Sequence, residues 1–208
     1  MCNASKAHWD KVYSTKSPTE VSWYQAYPGR SLALIRATGA QPTDPIIDIG
    51  GGASLLPDQL LAAGFRDITV LDISSEALRT LAQRLGESAK VTLLQQDVTE
   101  FRPARLYKVW HDRAVFHFLT DPEDRKRYMS ALRQGLQSSG HLIIATFGPQ
   151  GPERCSGLPV VRYGADALAA QLGHEFELLD SSLEMHRTPS GAGQQFLYCH
   201  FRARTSSQ

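Results

Sequence analysis

The stretch Pro45-Ile46-Ile47-Asp48-Ile49-Gly50-Gly51-Gly52-Ala53-Ser54-Leu55-Leu56 decides the fold. Ile46 to Ile49 make an apolar run of strand length, the glycines break it, and Leu55, Leu56, Leu60 and Leu61 recur at helical spacing up to Gly64. A strand that turns into a helix through glycines can bring its backbone close to a ligand, because no Cβ stands in the way. The free N–H groups at the helix start can then face an anionic or carboxylate group. Taken alone, the run also reads as a tight turn with no ligand.

Working outward, Ile68 to Leu71 is the second strand, and Asp72-Ile73-Ser74-Ser75-Glu76 opens a second helix. Its apolar positions are Ala77, Leu78, Leu81, Ala82 and Leu85, with Ser74 or Ser75 as cap and Gly86 at the end. Val91–Leu94 and Leu106–Trp110 are further strands. Pro122–Leu136 reads as a helix starting after Asp121, and Gly140 marks the turn into the strand His141–Phe147. Parallel neighbours need crossover connections, so this alternation predicts an α/β doubly wound sheet covered on both faces over residues 45–147. After a helix over Ala165–Leu172 come two strand-like stretches, Phe176–Leu179 and Gln195–Phe201, joined by the turn residues Thr188–Gly193. They predict a C-terminal antiparallel β-hairpin, followed by a frayed tail over Thr205–Gln208.

Composition narrows the class of function. The 208 residues are 42% hydrophobic and 21% charged, which suits one globular unit rather than a disordered or fibrous chain. Twenty-two basic against 21 acidic residues leave +1, so no global basic field draws nucleic acid or holds a membrane. The run Arg125-Lys126-Arg127 reads as a solvated helix face without an aromatic platform. No stretch approaches the ~20 apolar residues of a membrane span, and Met1–Asp10 has no apolar signal core, so a soluble cytoplasmic protein is expected. Cys2, Cys155 and Cys199 are odd in number and widely spaced, which suits reduced thiols and no zinc pair. Cys199 reads as a small core residue, and no metal is expected.

Twenty residues after Gly52, Asp72 ends the second strand, placed to accept hydrogen bonds from both ribose hydroxyls of an adenosine-containing ligand. Asp97 in Gln95-Gln96-Asp97-Val98 could accept an adenine amine, or serve as a cap or loop acid. A dinucleotide fingerprint requires G-x-G-x-x-G, but Leu55 stands at the last position counted from Gly50, and there is little sign of a second mononucleotide half. NAD is therefore disfavoured.

In this order the residues resemble the class I S-adenosylmethionine-dependent methyltransferases. Asp48-x-Gly50-x-Gly52-x-Ser54 is similar to their first motif, with Ser54 in place of a frequent glycine. Asp72, with Ile73 beside it, resembles the ribose-binding position, Gln96-Asp97-Val98 the adenine-side motif, and Trp110-His111-Asp112-Arg113 the fourth motif. The resemblance covers roughly residues 8–202. It implies a Rossmann-like seven-stranded sheet, mostly parallel with one antiparallel strand in the closing hairpin, and S-adenosylmethionine as cofactor. Asp48, Gly50, Gly51, Gly52, Ser54, Asp72, Ile73, Asp97 and Val98 would bind that cofactor. It also implies a helical lead-in and lid over residues 1–44 before a methyltransferase domain over 45–204, one domain overall.

The lead-in His8-Trp9-Asp10-Lys11-Val12-Tyr13 and Ser22-Trp23-Tyr24-Gln25 resembles that of small bacterial enzymes related to lysine methyltransferases of elongation factor and citrate synthase. Trp23 and Tyr24 are candidates to cover the methionine end of the cofactor, since aromatic faces attract a sulfonium. Alternatively, Trp9, Tyr13 and Trp23 pack a helix onto the sheet.

Methyl transfer from a sulfonium is an in-line displacement that needs positioning and water exclusion more than an obligatory side chain. If a base assists, the candidates are Asp112, preferred, with His111 and His117, which could equally be packing histidines. Arg113 could orient an acidic substrate or pair with Asp112. The loop Gly148–Pro159 is long enough for a lid or wall at the same mouth, where Cys155 could touch substrate or be incidental. The hairpin link His186–Gly191, with Arg187 as its candidate substrate contact, could form another wall or be a solvated turn.

An Asn/Asp-Pro-Pro-Tyr/Phe motif is absent after the fourth strand, which lowers nucleic-acid bases and planar amides as acceptors. A small molecule or a protein lysine remains. The competing readings are an NAD-dependent oxidoreductase, disfavoured further by the lack of a Tyr-x-x-x-Lys dyad, and a non-catalytic cofactor-binding module.

Overall fold

The computed structural model describes residues 2–86 and 90–205, with side chains from Ser5 onward. Of the expected tail, only Thr205 falls among them, and the side chain of Cys2 lies outside. In chain order the elements are α1 (Cys2–Thr15), α2 (Gly29–Ala37), β1 (Ile46–Ile49), α3 (Leu56–Ala62), β2 (Ile68–Asp72), α4 (Ser75–Leu85), β3 (Val91–Gln95) and β4 (Tyr107–Arg113). A 3₁₀ turn (Phe116–Phe118) leads to α5 (Pro122–Gly135), β5 (Leu136–Phe147), β6 (Arg154–Cys155), β7 (Leu158–Pro159), α6 (Ala165–Leu172), β8 (Phe176–Arg187) and β9 (Gly193–Ala203).

Seven strands form one sheet in the order β3-β2-β1-β4-β5-β9-β8, and β9 alone runs against the others. The expected mostly parallel sheet with one antiparallel strand is therefore the observed one. β1, buried at all four positions, lies between β2 and β4, which is why its sequence is continuously apolar except for Asp48. The strand order reverses at β1, with β2 and β3 on one side and β4 on the other, and ligands of such sheets bind at the carboxyl ends there.

Two apolar layers clamp the sheet. One joins α2, α3 and α4 to it through Leu32, Ile35, Leu60 and Leu81; the other includes α5 and α6 with Leu132, Leu168 and Leu172. α4 begins as its sequence predicts: the Ser74 hydroxyl accepts the Ala77 N–H at 3.2 Å. Cys199 is fully buried in the second layer.

Three boundaries differ from the pattern reading. β4 continues to Arg113, so the Trp-His-Asp-Arg run lies inside a strand and its side chains alternate between faces. β5 already pairs with β4 at Leu136, and the residues before His141 bulge out around Ser139, whose φ is 58°. β8 runs on to Arg187 where only Phe176–Leu179 was expected. A register shift at Leu179 and the polar sequence of an edge strand hide that continuation from an apolar-run criterion.

Candidate active site

The glycine turn is built by exclusion. Gly50 has φ 68°, donates to Leu71 O at 2.6 Å, and a Cβ there would overlap Val115. A Cβ on Gly51 would strike Asp48 Oδ2. Gly52 packs against Ala77, and its N–H donates to Asp72 Oδ2 at 3.0 Å. Ser54 turns inward to accept the Leu56 N–H and start α3.

Two cavities meet at this turn. The larger, about 560 Å³, lies within the ~300–1,000 Å³ of small-ligand sites. Asp72, Ile73, Asp97 and Val98 line one end of it, Trp9, Tyr13, Trp23 and Phe118 a second wall, and Cys155, Leu158 and Pro159 a third. The smaller is lined by Tyr24, Ser31, Asp48, Gly51, Ser54 and His111 among others. Gly50, Tyr13, Trp23 and Arg113 line both.

Asp72 is 5% exposed, with Oδ1 accepting the Ser74 N–H at 2.8 Å. Burial pushes its carboxyl up to about 6, against the pull of those backbone donors. Asp97 Oδ1 accepts both the backbone and hydroxyl of Thr99, each at 2.8 Å, so it does serve as a local turn acid while also lining the cavity. Asp48 Oδ1 accepts from His111 Nδ1 at 2.7 Å, and His111 Nε2 lies 2.9 Å from the Ser31 hydroxyl. That line joins α2 to the glycine turn through three buried side chains, and Asp48 Oδ2 remains buried without a partner.

The pleat separates the residues of the fourth motif. His111 and Arg113 face the α2 layer, whereas Asp112 faces α5. Its Oδ1 accepts the Val115 and Phe116 N–H groups at 3.0 and 3.4 Å, and its Oδ2 accepts the Tyr128 hydroxyl at 2.8 Å. Burial raises its carboxyl to about 6. Asp112 lines neither cavity and does not pair with Arg113, which corrects the expectation that it faces the site. His117 is likewise a packing residue: it is fully buried, its Nδ1 accepts the Phe147 N–H at 3.1 Å, and burial lowers its pKa to about 3. Arg187 is exposed at the hairpin turn and lines neither cavity, so it is no wall.

Arg113 does reach the cavities. Its Nε donates to the Tyr198 hydroxyl and its Nη1 to Trp23 O, both at 2.9 Å, and its guanidinium lies 4.4 Å from the centre of the Phe196 ring. Cys155 is buried, and burial pushes its thiol up to about 11, so it is no thiolate at neutral pH. The Ser156-Gly157 turn between β6 and β7, with φ 50° and 80°, folds it inward.

The sequence reading treated Trp9 and Tyr13 as possible packing and did not single out Phe118. Trp9 packs edge-on or tilted against Tyr13, Trp23 and Phe118, and Tyr13 against Trp23, at centroid distances of 5.1–6.4 Å around the large cavity, so they both pack the lead-in and line the site. The i, i+4 spacing of Trp9 and Tyr13 was the available signal. Ala114, a non-glycine at φ 71° on the cavity wall, carried none.

Residues 46–140 match a family model described as a methyltransferase domain. The chain is 28% identical over 123 residues, 58% of its length, to the eEF1A lysine and N-terminal methyltransferase of Mus musculus, and spans 17% of that protein. It is 25% identical over 111 residues to malonyl-[acyl-carrier protein] O-methyltransferase 1 of Ilyobacter polytropus, covering 53% of this chain and 40% of the other. A solved Burkholderia thailandensis structure, 1,6-didemethyltoxoflavin-N1-methyltransferase with S-adenosylhomocysteine bound, superposes at a TM-score of 0.69 and 21% identity, over 97% of this chain and 84% of that one. At that identity the likeness shows the fold.

Proposed function

We propose that this chain, a class I S-adenosylmethionine-dependent methyltransferase, moves a methyl group to a nucleophile of a small molecule or of a protein lysine. One observation carries the reading: the glycine turn and Asp72 open onto the same cavity as an aromatic wall, so an adenosine site and a cation-attracting site are continuous.

The residues present fit the cofactor. Gly50 carries no side chain where the turn lines both cavities, and Asp48 Oδ2 is an unpartnered buried acceptor at the smaller cavity. In this reading Asp72, beside Ile73, takes the ribose hydroxyls, while Asp97 and Val98 border the adenine. Gly50, Gly51 and Asp48 hold the amino-acid end, with Gly52 and Ser54 shaping the turn behind them. The cofactor, when bound, supplies a methyl group activated by a sulfonium. Trp23, Tyr24 and Tyr13 cover that end, exclude water, and present π faces to positive charge. Residues 1–44 act as lid and lead-in to the domain at 45–204, tied to it where Asp10 accepts the Ser74 hydroxyl at 2.8 Å.

Of the three candidate bases only His111 lines a cavity, and both its ring nitrogens are engaged, so its role is to hold Asp48 rather than to take a proton from the acceptor. Transfer then rests on alignment. The lysine arm draws support from the mouse relative and the small-molecule arm from the O-methyltransferase. A cytoplasmic setting agrees with the buried thiols of Cys155 and Cys199. Among the described residues no helix is long and apolar enough to cross a membrane.

Calorimetry of ligand-free protein with S-adenosylmethionine, S-adenosylhomocysteine and NAD, followed by a labelled-methyl screen of amines, thiols, carboxylates and lysate proteins, tests this. Binding of the first two and label transfer are expected. Binding of NAD alone, or binding without transfer to any class, would replace the reading with an oxidoreductase or a non-catalytic module respectively.

A further inference from the structure

β8 closes one end of the sheet and is paired on its inner side alone. In an antiparallel pair every second residue turns its N–H and C=O away from the neighbouring strand. Two bonds identify those residues on β8. Gln195 O, opposite Met185, is taken on the β5 side by the Gly148 N–H at 2.9 Å, and the Thr188 N–H donates to Ala192 O at 2.9 Å in the hairpin turn. By alternation from either bond, Met185, Leu183 and Ser181 direct their main-chain groups outward, and among the described residues nothing pairs with them there.

Sheet edges are commonly guarded by shortness, by charge or by a bulge. The opposite edge, β3, is five residues long, whereas β8 is twelve, and its register shift at Leu179 lies before the run 180–186. The three outward residues of that run carry no charge. Leu183 and Met185 are each 58% exposed, and they lie on the face shared with Leu197 and Cys199, where α5 and α6 do not cover them. The carboxylates Asp180 and Glu184 lie on the other face, bonded to Arg30 and Gln25.

We infer that β8 pairs antiparallel with β8 of a second copy of this chain, about a two-fold axis at Leu183, joining two seven-stranded sheets into one. The axis follows from charge and from the regular length of the strand. A two-fold through Ser182 would set Asp180 opposite Glu184, and one through Glu184 would set that carboxylate against itself, both destabilising. A two-fold through Leu183 sets Leu183 against its own copy, Ser181 opposite Met185, Asp180 opposite His186 and Ser182 opposite Glu184, with no like charges facing. Axes further along run into the irregularity at Leu179 or the turn at Thr188. About Leu183 the outward residues map onto one another, so their free main-chain groups satisfy each other, and Met185 meets Leu183 on the diagonal. Each molecule has one such edge, so the contact closes at two copies.

Sedimentation of the full chain from about 1 to 100 μM, the range in which a contact of modest size dissociates, should show monomer giving way to dimer and nothing larger. Leu183→Lys sets two ammonium groups against each other at the axis and should raise the dissociation constant at least about tenfold, with the far-ultraviolet circular dichroism unchanged. Thiols introduced on a Cys2→Ala background locate the axis, since Cys155 and Cys199 are buried. Leu183→Cys should give a disulfide-linked dimer on mild oxidation. Ser181→Cys should not, because its copies would stand about 14 Å apart, yet it should link to Met185→Cys when the two proteins are mixed.

A monomer at every concentration would overturn the inference, the edge then standing open to a strand of some other protein. A dimer that survives Leu183→Lys and gives no disulfide through Leu183→Cys would overturn it too, because the contact would lie elsewhere on the surface. Self-linking of Ser181→Cys in place of Leu183→Cys would overturn the axis and the charge argument behind it.

Discussion

Replacing Asp112 by Asn separates a base in the active site from a buried structural acid. A carboxyl held at about 6 instead of 3.8 is harder to ionise in the fold than in the open chain by about 3 kcal/mol. Its folded-state pKa is raised, so its contribution to stability is fully present below about 3.8 and is lost as pH rises through about 6. Between about pH 5 and pH 7.5 that contribution changes by about 1 kcal/mol, or roughly 2 to 4 °C in Tm for a chain of this length. Asp112→Asn removes it, while Asp72, held equally high by burial, titrates in both proteins and cancels. Thermal unfolding at the two pH values should therefore show the wild type gaining Tm on acidification by that margin more than the variant. The Asn carbonyl can still accept from Val115 and Phe116, so the 3₁₀ turn and S-adenosylhomocysteine binding should persist. An identical pH response in both proteins would refute the buried-acid account. A fall in methyl transfer of about 100-fold, the scale of general-base loss, with cofactor binding unchanged would restore Asp112 as the base.

Four further outcomes follow from the site. Asp72→Ala should weaken S-adenosylhomocysteine by about 1.5 to 3 kcal/mol in calorimetry, the range for hydrogen bonds to a charged group, and unchanged affinity would remove the ribose assignment. Because ionised Asp72 is the better acceptor, wild-type affinity should decline as pH falls through about 6, and a flat profile from pH 8 to 5 would contradict this. Gly50→Ala, forced to φ 68° with its methyl against Val115, should lose at least about 1 kcal/mol of stability in denaturant titration; full stability would mean the turn adopts another conformation. Proteolysis near Trp23-Tyr24 should slow when S-adenosylhomocysteine is added, and equal cleavage with and without it would count against a lid.

The chemistry of the site was legible wherever it is local. Asp48, Gly50, Gly52 and Asp72 are bound to one strand-turn-helix unit and the next strand end, so spacing alone brings them together. Asp112 shows where such reading stops. Its neighbours in sequence suggest a mouth-facing acid, but β4 runs three residues further than its apolar pattern, and one step of pleat decides which layer each side chain enters. Tyr128, sixteen residues on, then claims the carboxylate. The partners of Arg113 lie 85 and 90 residues away, at Tyr198 and Trp23, and no periodicity reports a contact of that separation. Edge strand β8 escaped for the opposite reason: an edge can be polar, so the criterion that finds β1 is blind to it.

The direction of β9 has a consequence for the order in which the molecule is completed. The glycine turn, Asp72 and Asp97 are supplied by residues 48–97, and their strands pair with near neighbours in the chain. The clamp on Arg113 waits for Phe196 and Tyr198, which arrive on the last strand and insert between β5 and β8. A ribosome emitting the chain from its N-terminus thus finishes the Asp72 end of the cavity before the wall that holds Arg113, with the edge of β5 open in the interval. Nascent chains halted before residue 196 should already distinguish an adenosine ligand while Arg113 still lacks its Phe196 and Tyr198 partners.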